Sequence, residues 1–268
     1  MIAFPNSKIN IGLNVVSKRQ DGYHNLETIF YPISLCDSLE IVESQQDSLC
    51  TYGFEIAGDV NHNLVVKALK LMREYAEFPP QTIHLSKTVP MGAGLGGGSA
   101  DASYMLRMLN EKYAVGMTNE KLEELAAKLG ADCAVFIKNK PTFATGIGNV
   151  FSSVEVNLNG YFLVVVKPEV NVPTAKAFSL IRPKSPTFDL KESVKLPIEK
   201  WKDFIKNDFE ESVFYHYPEI ERIKDRLYEY GALYASMSGS GASVYGIFNE
   251  KVDLKTKFLD CFYWSEYL

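Results

Sequence analysis

The run Pro90-Met-Gly-Ala-Gly-Leu-Gly-Gly-Gly-Ser-Ala-Asp-Ala-Ser103 constrains this chain more than any other segment, because five of its residues are glycines. Glycine tolerates positive φ angles and lets a ligand come close to the backbone. The run connects a strand-like segment, Thr82–Ser86, to a helix-like segment, Ser99–Tyr113, and Ser99 is a candidate N-cap. Unpaired N–H groups at a helix N-terminus favour an anion, as does the helix dipole. The run therefore predicts a site for nucleotide phosphates.

Two better-known phosphate loops do not match this run. Gly92, Gly94 and Gly97 satisfy the pattern G-x-G-x-x-G. A dinucleotide-binding fold, however, places that pattern at its first strand–helix turn, far earlier than here. A Walker A loop requires lysine after its last glycine, whereas Gly97 is followed by Gly98 and Ser99. A glycine-rich loop without a ligand is the remaining structural alternative.

The charge balance limits the classes of partner. The chain has 268 residues, a net charge of -5 and a pI near 5.5. A nucleic-acid-binding surface would show clustered lysine and arginine, so nucleic acid is not an expected partner. The longest solid apolar stretch, Tyr161–Val166, is far shorter than a membrane span.

The cysteines indicate a reducing compartment. No pair forms C-x-x-C, and no histidine stands at zinc-ligand spacing from Cys36, Cys50, Cys133 or Cys261. Free buried thiols in a cytoplasmic protein are therefore expected. The first residues lack the charged and apolar regions of a signal peptide, which favours the same location.

Hydrophobic periodicity predicts a mixture of strands and helices without strict alternation, which is typical of the α+β class. The predicted strands are Lys8–Val16, Thr28–Leu35, Asp37–Glu43, Thr82–Ser86, Phe143–Ala144, Gly148–Val154, Tyr161–Lys167, Ala232–Met237 and Val244–Phe248. The predicted helices are Asn63–Tyr75, Ser99–Tyr113, Asn119–Leu129, Trp201–Phe209 and Pro218–Tyr230, with Gly130 as a C-cap. The proline-rich stretch 168–197 marks a domain transition there or slightly before it.

Two segments near the N-terminus carry polar groups suited to a binding site. Lys8 and Asn10 stand at i and i+2, so they point to one face of a strand. The turn Asp21-Gly22-Tyr23-His24 offers an aromatic ring for stacking on a base and an imidazole for hydrogen bonding. A solvated lysine on an edge strand and a surface hairpin turn are the structural alternatives.

Two later segments complete the set. Gly130-Ala131-Asp132-Cys133 places a carboxylate in a tight turn, where it either bonds to local N–H groups or accepts a proton from a substrate hydroxyl. No histidine lies near Cys133 in sequence, which disfavours a cysteine nucleophile, although a spatial partner stays open. Met237-Ser-Gly-Ser-Gly-Ala242 is a second glycine-rich turn, for which a plain hairpin loop is the alternative.

Together these segments resemble the GHMP small-molecule kinases. The matching motifs, from Pro5 to about Phe248, are P-N-S-K-I-N-I-G-L, D-G-Y-H-N-L-E-T-I-F, P-M-G-A-G-L-G-G-G-S-A-D-A, L-G-A-D and M-S-G-S-G-A. The resemblance implies a two-lobed α+β fold, with an N-terminal ribosomal-S5-like lobe and a C-terminal ferredoxin-like lobe. It places the ATP-binding lobe at residues 1–155 and the C-terminal lobe at 156–268. Ala134 departs from the pattern, which has proline at that position.

The resemblance also implies an activity. The D-G-Y-H segment distinguishes a subgroup that phosphorylates a tertiary polyol hydroxyl of a cytidine-diphosphate-bearing substrate in non-mevalonate isoprenoid synthesis. ATP is the implied phosphoryl donor, with Mg²⁺. Two alternatives stay open: a GHMP kinase acting on a sugar, homoserine or mevalonate, and an inactive nucleotide-binding relative. Retention of Lys8 and Asp132 speaks against the second.

The family's functional positions map onto this chain residue by residue. Lys8 and Asp132 would form the catalytic pair, with Asp132 receiving or orienting the hydroxyl proton and Lys8 keeping it ionised. The implied substrate-binding residues are Asn10, Tyr23, His24, Phe30, Thr174 and Phe178. The implied ATP-binding residues are Asn63, Lys87, Pro90, Gly92, Gly94, Leu95, Gly96, Gly97, Gly98, Ser99, Gly239 and Gly241. Ser99 is also the candidate protein ligand of Mg²⁺.

Overall fold

The computed structural model describes residues 1–56 and 58–268, and the chain forms two compact units. The first unit contains Met1–Lys8, Pro32–Met91 and Gly96–Lys140. The second contains Ile9–Tyr31, Gly92–Leu95 and Pro141–Leu268. The units interleave along the chain and have no boundary at residue 155. The predicted lobes at 1–155 and 156–268 stay a prediction about family domains, and they differ in their bounds from these two units.

The first unit is built on a four-stranded sheet in the order β1-β4-β6-β5, in which only β5 and β6 are parallel. Its strands are β1 (Ile2–Ala3), β4 (Ser38–Glu43), β5 (Ser48–Gly53) and β6 (Gln81–Lys87). Its helices are α1 (Leu64–Arg73), α2 (Gly97–Lys112), α3 (Asn119–Leu129) and α4 (Val135–Lys138). Residues of β6 alternate between buried and half-buried, as expected for a strand with one face against helices.

The second unit contains two further four-stranded sheets, in the orders β2-β3-β7-β8 and β10-β11-β9-β12. The strands are β2 (Asn6–Lys18), β3 (His24–Cys36), β7 (Thr142–Thr145), β8 (Val150–Ser152), β9 (Phe162–Pro168), β10 (Tyr234–Met237), β11 (Val244–Phe248) and β12 (Cys261–Tyr267). The first residues of β2 and the last of β3 belong to the first unit. The helices are α5 (Thr174–Leu180), α6 (Leu190–Ser193), α7 (Ile198–Phe204), α8 (Phe209–His216) and α9 (Pro218–Glu229).

Local sequence signals explain where several elements begin and end. The Asn63 side chain caps α1 by accepting a hydrogen bond from Val65 N–H at 3.0 Å. Thr118 caps α3 in the same way through Lys121 N–H, and Gly130 closes that helix as predicted. The α9 helix begins with Pro218 at its first turn, where a missing N–H costs no intrahelical bond.

Most predicted elements are present within one to three residues of the expected ends, but two expectations are wrong. Ser99 is not an N-cap: α2 begins at Gly97, and Gly96 caps it with a φ of 74°. Trp201–Phe209 is not one helix, because the chain leaves the helix after Phe204. There it hydrogen-bonds Leu13 through Lys206 C=O (2.9 Å) and Asp208 N–H (2.8 Å). Backbone pairing with a strand therefore overrides the local helical pattern.

Seven elements of the described residues had no sequence prediction: β1, β5, β12, α4, α5, α6 and α8. The edge strands β5 and β12 lack clean alternation, and α5 follows Pro173 within the proline-rich stretch that was assigned to a domain transition. Within residues 1–56 and 58–268, every helix is too short or too polar to span a membrane.

Gly94→Ala is expected to destabilise the protein much more than Gly92→Ala. Both glycines have positive φ, at 75° and 58°. A Cβ on Gly94 would lie 2.0 Å from the Ser238 carbonyl oxygen, whereas a Cβ on Gly92 meets nothing within 4 Å. Positive φ costs about 1 kcal/mol in both variants, and the backbone clash adds to it only at Gly94. Urea denaturation measures the two unfolding free energies, and equal losses would contradict this account.

Candidate active site

Lys8 and Asp132, far apart in sequence, meet in the first unit. Lys8 lies on β2, and Asp132 lies in the turn between α3 and α4, where Cys133 N–H bonds to Gly130 C=O at 3.1 Å. The Lys8 Nζ is 3.3 Å from Asp132 Oδ2. The lysine side chain is 3% exposed and the aspartate side chain 37%. The carboxylate is thus open on one side to a substrate and held on the other by a buried cation.

The glycine-rich loop packs directly against this pair. A Cβ on Gly96 would lie 3.2 Å from Lys8 Cε and 2.9 Å from Phe136 Cζ, so only glycine fits there. Gly96 C=O accepts the Ala100 N–H at 2.9 Å, which starts α2. A Cβ on Gly98 would meet nothing within 4 Å. The first turn of α2 therefore directs unpaired N–H groups to the region beside the Lys8–Asp132 pair.

Ser99 and Cys133 lie at the same end of α2. A Cβ on Gly130 would be 4.0 Å from Ser99 Oγ and 3.2 Å from Cys133 Sγ. Burial raises the pKa of the Cys133 thiol to about 11, with the charge of Asp132 adding to the rise. The thiol is therefore protonated at neutral pH and unsuited to act as a nucleophile. Ala134, where the family pattern has proline, has a φ of -60°, the value that proline would impose.

A cavity of about 250 Å³ in the first unit is lined by three of the predicted ATP-binding residues, Asn63, Lys87 and Gly98. Apolar side chains form much of its wall, as in most small-molecule sites. Its lining residues are Leu49, Thr51, Ile56, Gly58, Asp59, Val60, His62, Asn63, Leu64, Leu85, Lys87, Met91, Gly98 and Asp101. The Asn63 Oδ1 is engaged as the α1 cap, so its Nδ2 is the group left for a ligand.

The Lys87 ammonium is engaged by two acidic side chains. It is buried between Asp37 Oδ2 and Asp101 Oδ2, the second at 2.7 Å, and its side chain is 1% exposed. Lys87 as an ATP-binding residue stays a prediction: the residue lines the cavity, while its ammonium is held by Asp37 and Asp101.

Polar groups of the second unit surround Asn10. Its Nδ2 donates to Thr28 Oγ1 at 2.8 Å, and Thr28 Oγ1 donates to Gly12 C=O at 2.6 Å. Its backbone N–H donates to Ser238 Oγ at 3.2 Å, and Ser238 Oγ donates to Gly94 C=O at 2.9 Å. Ser238 thus ties the second glycine-rich turn to the first one and to β2.

The second turn is tightly packed at both of its glycines. A Cβ on Gly239 would be 3.2 Å from Gly94 Cα, and one on Gly241 would be 2.7 Å from Met237 Sδ. Thr174 Oγ1, at the start of α5, lies 3.1 Å from Ser240 Oγ. The predicted residues Gly94, Thr174, Gly239 and Gly241 therefore lie around one turn.

A cluster of aromatic side chains lies where the β2–β3 hairpin meets α5. The His24 ring stacks on Phe178 with centroids 5.1 Å apart and planes 24° apart. Phe178 in turn meets Phe209 edge-on at 4.8 Å. Burial, and to a lesser degree Lys18, lowers the pKa of His24, so the imidazole is neutral at neutral pH. Tyr23 is 61% exposed, which leaves its ring free to stack on a planar ligand.

Three predicted residues are core positions. Phe30 is 2% exposed, and Pro90 and Leu95 are also buried. They shape the site through packing and backbone position and offer no exposed side chain. A second cavity, of about 550 Å³, contains none of the predicted site residues. Its lining is Leu180, Ile181, Arg182, Lys184, Asp208, Glu211, Ser212, Tyr215 and His216.

Sequence reasoning missed Asp37, Thr28 and Asn207 as parts of the site framework. Asp37 pairs with Lys87, and Thr28 holds the Asn10 amide. Asn207 Nδ2 donates to both Met237 C=O and Gly239 C=O at 2.8 Å. Each is a lone polar residue beside or within a strand or loop, and nothing local distinguishes it from a surface position.

Family models match two parts of the chain. The model described as GHMP kinases N terminal domain matches residues 63–140, and the one described as GHMP kinases C terminal matches residues 191–258. The first match contains the glycine-rich loop and the Asp132 turn, and the second contains the second glycine-rich turn.

Curated relatives match over nearly the whole chain. A Bacteroides fragilis protein named 4-diphosphocytidyl-2-C-methyl-D-erythritol kinase is 56% identical over 271 residues, covering 98% of both chains. A Parabacteroides distasonis protein of the same name is 52% identical, covering 99% of this chain and 98% of its own. A crystal structure of 4-(cytidine 5'-diphospho)-2C-methyl-D-erythritol kinase matches with a TM-score of 0.77 and 30% identity, covering 92% and 90% of the two chains.

Asp101→Asn is expected to flatten the pH dependence of stability. Burial raises the pKa of the Asp101 carboxyl from 3.8 to about 7, with Lys87 opposing the rise and Asp37 adding to it. Between about pH 4 and about pH 7 the folded protein holds a proton that the unfolded chain releases. The unfolding free energy therefore falls as pH rises through this window. Urea denaturation at several pH values checks this, and parallel curves for the variant and the wild type would refute it.

Proposed function

The chain belongs to the GHMP kinase family, within its group of 4-diphosphocytidyl-2-C-methyl-D-erythritol kinases. From this premise we propose that it transfers the γ-phosphoryl group of ATP to the 2-hydroxyl of 4-diphosphocytidyl-2-C-methyl-D-erythritol. The products are the 2-phosphate and ADP, in a step of non-mevalonate isoprenoid synthesis. The observation that carries the proposal is the Lys8–Asp132 contact of 3.3 Å beside Gly96 of the glycine-rich loop.

The geometry of that pair suits proton and phosphoryl transfer. The partly exposed Asp132 carboxylate would receive the proton of the acceptor hydroxyl as its oxygen bonds to the γ-phosphorus. The bond from that phosphorus to the β–γ bridging oxygen breaks, and ADP leaves. Lys8 would stabilise the Asp132 carboxylate and the negative charge that develops between the reacting groups. Phosphoryl transfer depends mostly on such positioning and charge stabilisation.

The first unit supplies a route for ATP. The N-terminus of α2 would bind the phosphates through backbone N–H groups of Gly96–Ser99. The cavity lined by Asn63, Leu64 and Leu85 would receive the adenosine. Its volume and apolar walls suit a planar base.

The polar groups present fit a Mg²⁺ ion that is held largely by the nucleotide. Among residues 1–56 and 58–268, no group of three or more histidine, cysteine or acidic side chains is arranged to hold a metal. The Ser99 hydroxyl, near the Asp132 turn, is the protein oxygen that would serve beside phosphate and water ligands. When bound, the ion would neutralise phosphate charge.

The second unit supplies groups suited to a cytosine. Tyr23 would stack on the base, and His24 would hydrogen-bond its edge from its position on Phe178. A neutral imidazole has one donor and one acceptor nitrogen, which matches the mixed donor and acceptor edge of cytosine. Thr174 and Asn10 would then orient the polyol end.

An assay of ADP release with each acceptor tests the proposal against its alternatives. We expect turnover with 4-diphosphocytidyl-2-C-methyl-D-erythritol and little with mevalonate, homoserine or a hexose. Turnover of one of the latter instead would indicate another GHMP kinase. Nucleotide binding without turnover of any acceptor would indicate an inactive relative.

Asp132→Asn is expected to lower kcat by about 10² to 10⁴-fold while ADP binding survives. The amide keeps the shape of the side chain but removes the proton acceptor and the charge that pairs with Lys8. Steady-state kinetics and calorimetry measure the two effects. Asp225→Asn, at an exposed carboxylate on α9, is the matched control and should retain wild-type kcat. An Asp132→Asn enzyme with more than about a tenth of wild-type kcat would exclude Asp132 as the proton acceptor.

Tyr23→Ala is expected to raise KM for the cytidine substrate about tenfold to a hundredfold, with KM for ATP nearly unchanged, because base stacking contributes roughly 1–3 kcal/mol. Tyr215→Ala removes another exposed tyrosine of the second unit, 84% exposed, and should change neither KM. A rise in KM for ATP would instead assign the Tyr23 turn to the donor.

The base edge gives a second test of the same surface. Replacing cytosine by uracil should impair the wild-type enzyme far more than His24→Ala, if His24 reads that edge. An equal loss of activity with the uracil substrate in both enzymes would show that His24 does not recognise the base.

A further inference from the structure

The two ends of the glycine-rich loop are attached to one buried ionic cluster, formed by Asp37, Lys87 and Asp101. Asp37 directly precedes β4, Lys87 ends β6, and Asp101 lies in the second turn of α2. The Lys87 ammonium contacts Asp37 Oδ2 and lies 2.7 Å from Asp101 Oδ2. Their side chains are 0%, 1% and 3% exposed, so the cluster is buried.

Asp37 also binds the backbone that leads into the loop. Its Oδ1 accepts hydrogen bonds from Thr88 N–H at 2.6 Å and Val89 N–H at 2.8 Å. These two residues immediately precede Pro90, where the loop begins. One carboxylate therefore holds Lys87 through one oxygen and the incoming chain through the other.

The outgoing end of the loop meets the same cluster. A Cβ on Gly97, the first residue of α2, would lie 2.9 Å from Val89 Cγ1 and 3.3 Å from Lys87 Nζ. One turn further on, Asp101 bonds to that Nζ. The Val89 side chain and the Lys87 ammonium thus occupy the space that a side chain at position 97 would need.

The chemistry argues for a positioning role. A buried ion pair contributes little net stability compared with apolar residues of the same shape, but removing one partner leaves an uncompensated charge. Such a cluster specifies one arrangement of the backbone around it. Loops that bind phosphates through N–H groups depend on that arrangement, because a displacement of about 1 Å can cost about a hundredfold in rate.

We infer that Asp37 is a positioning residue for nucleotide binding, which fixes both ends of the glycine-rich loop through Thr88, Val89 and Lys87. The inference rests on the proposed function and adds to it a residue that touches no substrate. Lys87 contributes to the same positioning, because its ammonium contacts both Asp37 and Asp101 of α2.

The test compares Asp37→Asn with Asp47→Asn. Asp47 is a matched control at the other end of β6: it pairs with the Arg73 guanidinium and accepts the Gln81 backbone N–H at 2.8 Å. Calorimetry with ADP, KM for ATP, KM for the acceptor and the melting temperature are measured for both variants. Both should melt at lower temperature, but only Asp37→Asn should raise the Kd for ADP and the KM for ATP, by tenfold or more. The acceptor KM should stay within about twofold of wild type in both.

Asp37→Glu keeps the charge and moves the carboxylate by one methylene. This variant replaces Asp37→Asn in the test if Asp37→Asn does not fold. It should raise the Kd for ADP in the same direction by a smaller factor. A folded Asp37 variant that binds ADP like the wild type would overturn the inference, as would an equal rise in Kd for Asp47→Asn. Failure of the wild type itself to bind ADP would overturn the proposed function, and this inference with it.

Discussion

Close backbone packing around the glycine-rich loop is the constraint on which the rest of this structure depends. At three points along the loop a Cβ would lie within 3 Å of another group: the Ser238 carbonyl at Gly94, the Phe136 ring at Gly96 and the Val89 side chain at Gly97. A protein interior packs too densely to absorb such contacts. The loop therefore has one path, and its helix begins within the glycine run instead of at a capping serine. That path brings free N–H groups to Lys8 and Asp132.

The first unit handles two buried lysines in different ways. Lys8 faces one carboxylate that is partly exposed, so the pair stays open to a reacting group. Lys87 lies between two buried acidic side chains, Asp37 and Asp101. Desolvation makes an unpaired buried charge very costly, so both lysines need partners. The two lysines therefore differ in the exposure of their acidic partners. An exposed partner can take part in a reaction, whereas buried partners hold the backbone in place.

Much of the fold could be predicted from local patterns. The β2, α1 and α9 elements follow hydrophobic periodicity, and Gly130 and Asn63 act as helix-terminating and helix-starting residues. The errors arise where non-local contacts compete. The segment after Phe204 pairs with Leu13 and so leaves the helical path, although its own sequence is helix-compatible.

The sequence by itself determined the chemistry available to this protein: a glycine-rich loop before a helix, a lysine on the first long strand, a carboxylate in a glycine turn and an exposed aromatic turn. The tertiary structure alone decided how these groups are used. In the folded chain the Lys87 ammonium pairs with Asp37 and Asp101. The Asn10 amide donates to Thr28, and the His24 ring stacks on Phe178. The physical reason is that local patterns reflect the period of a helix or strand. The partner of a buried polar group depends instead on which distant segments exclude water together.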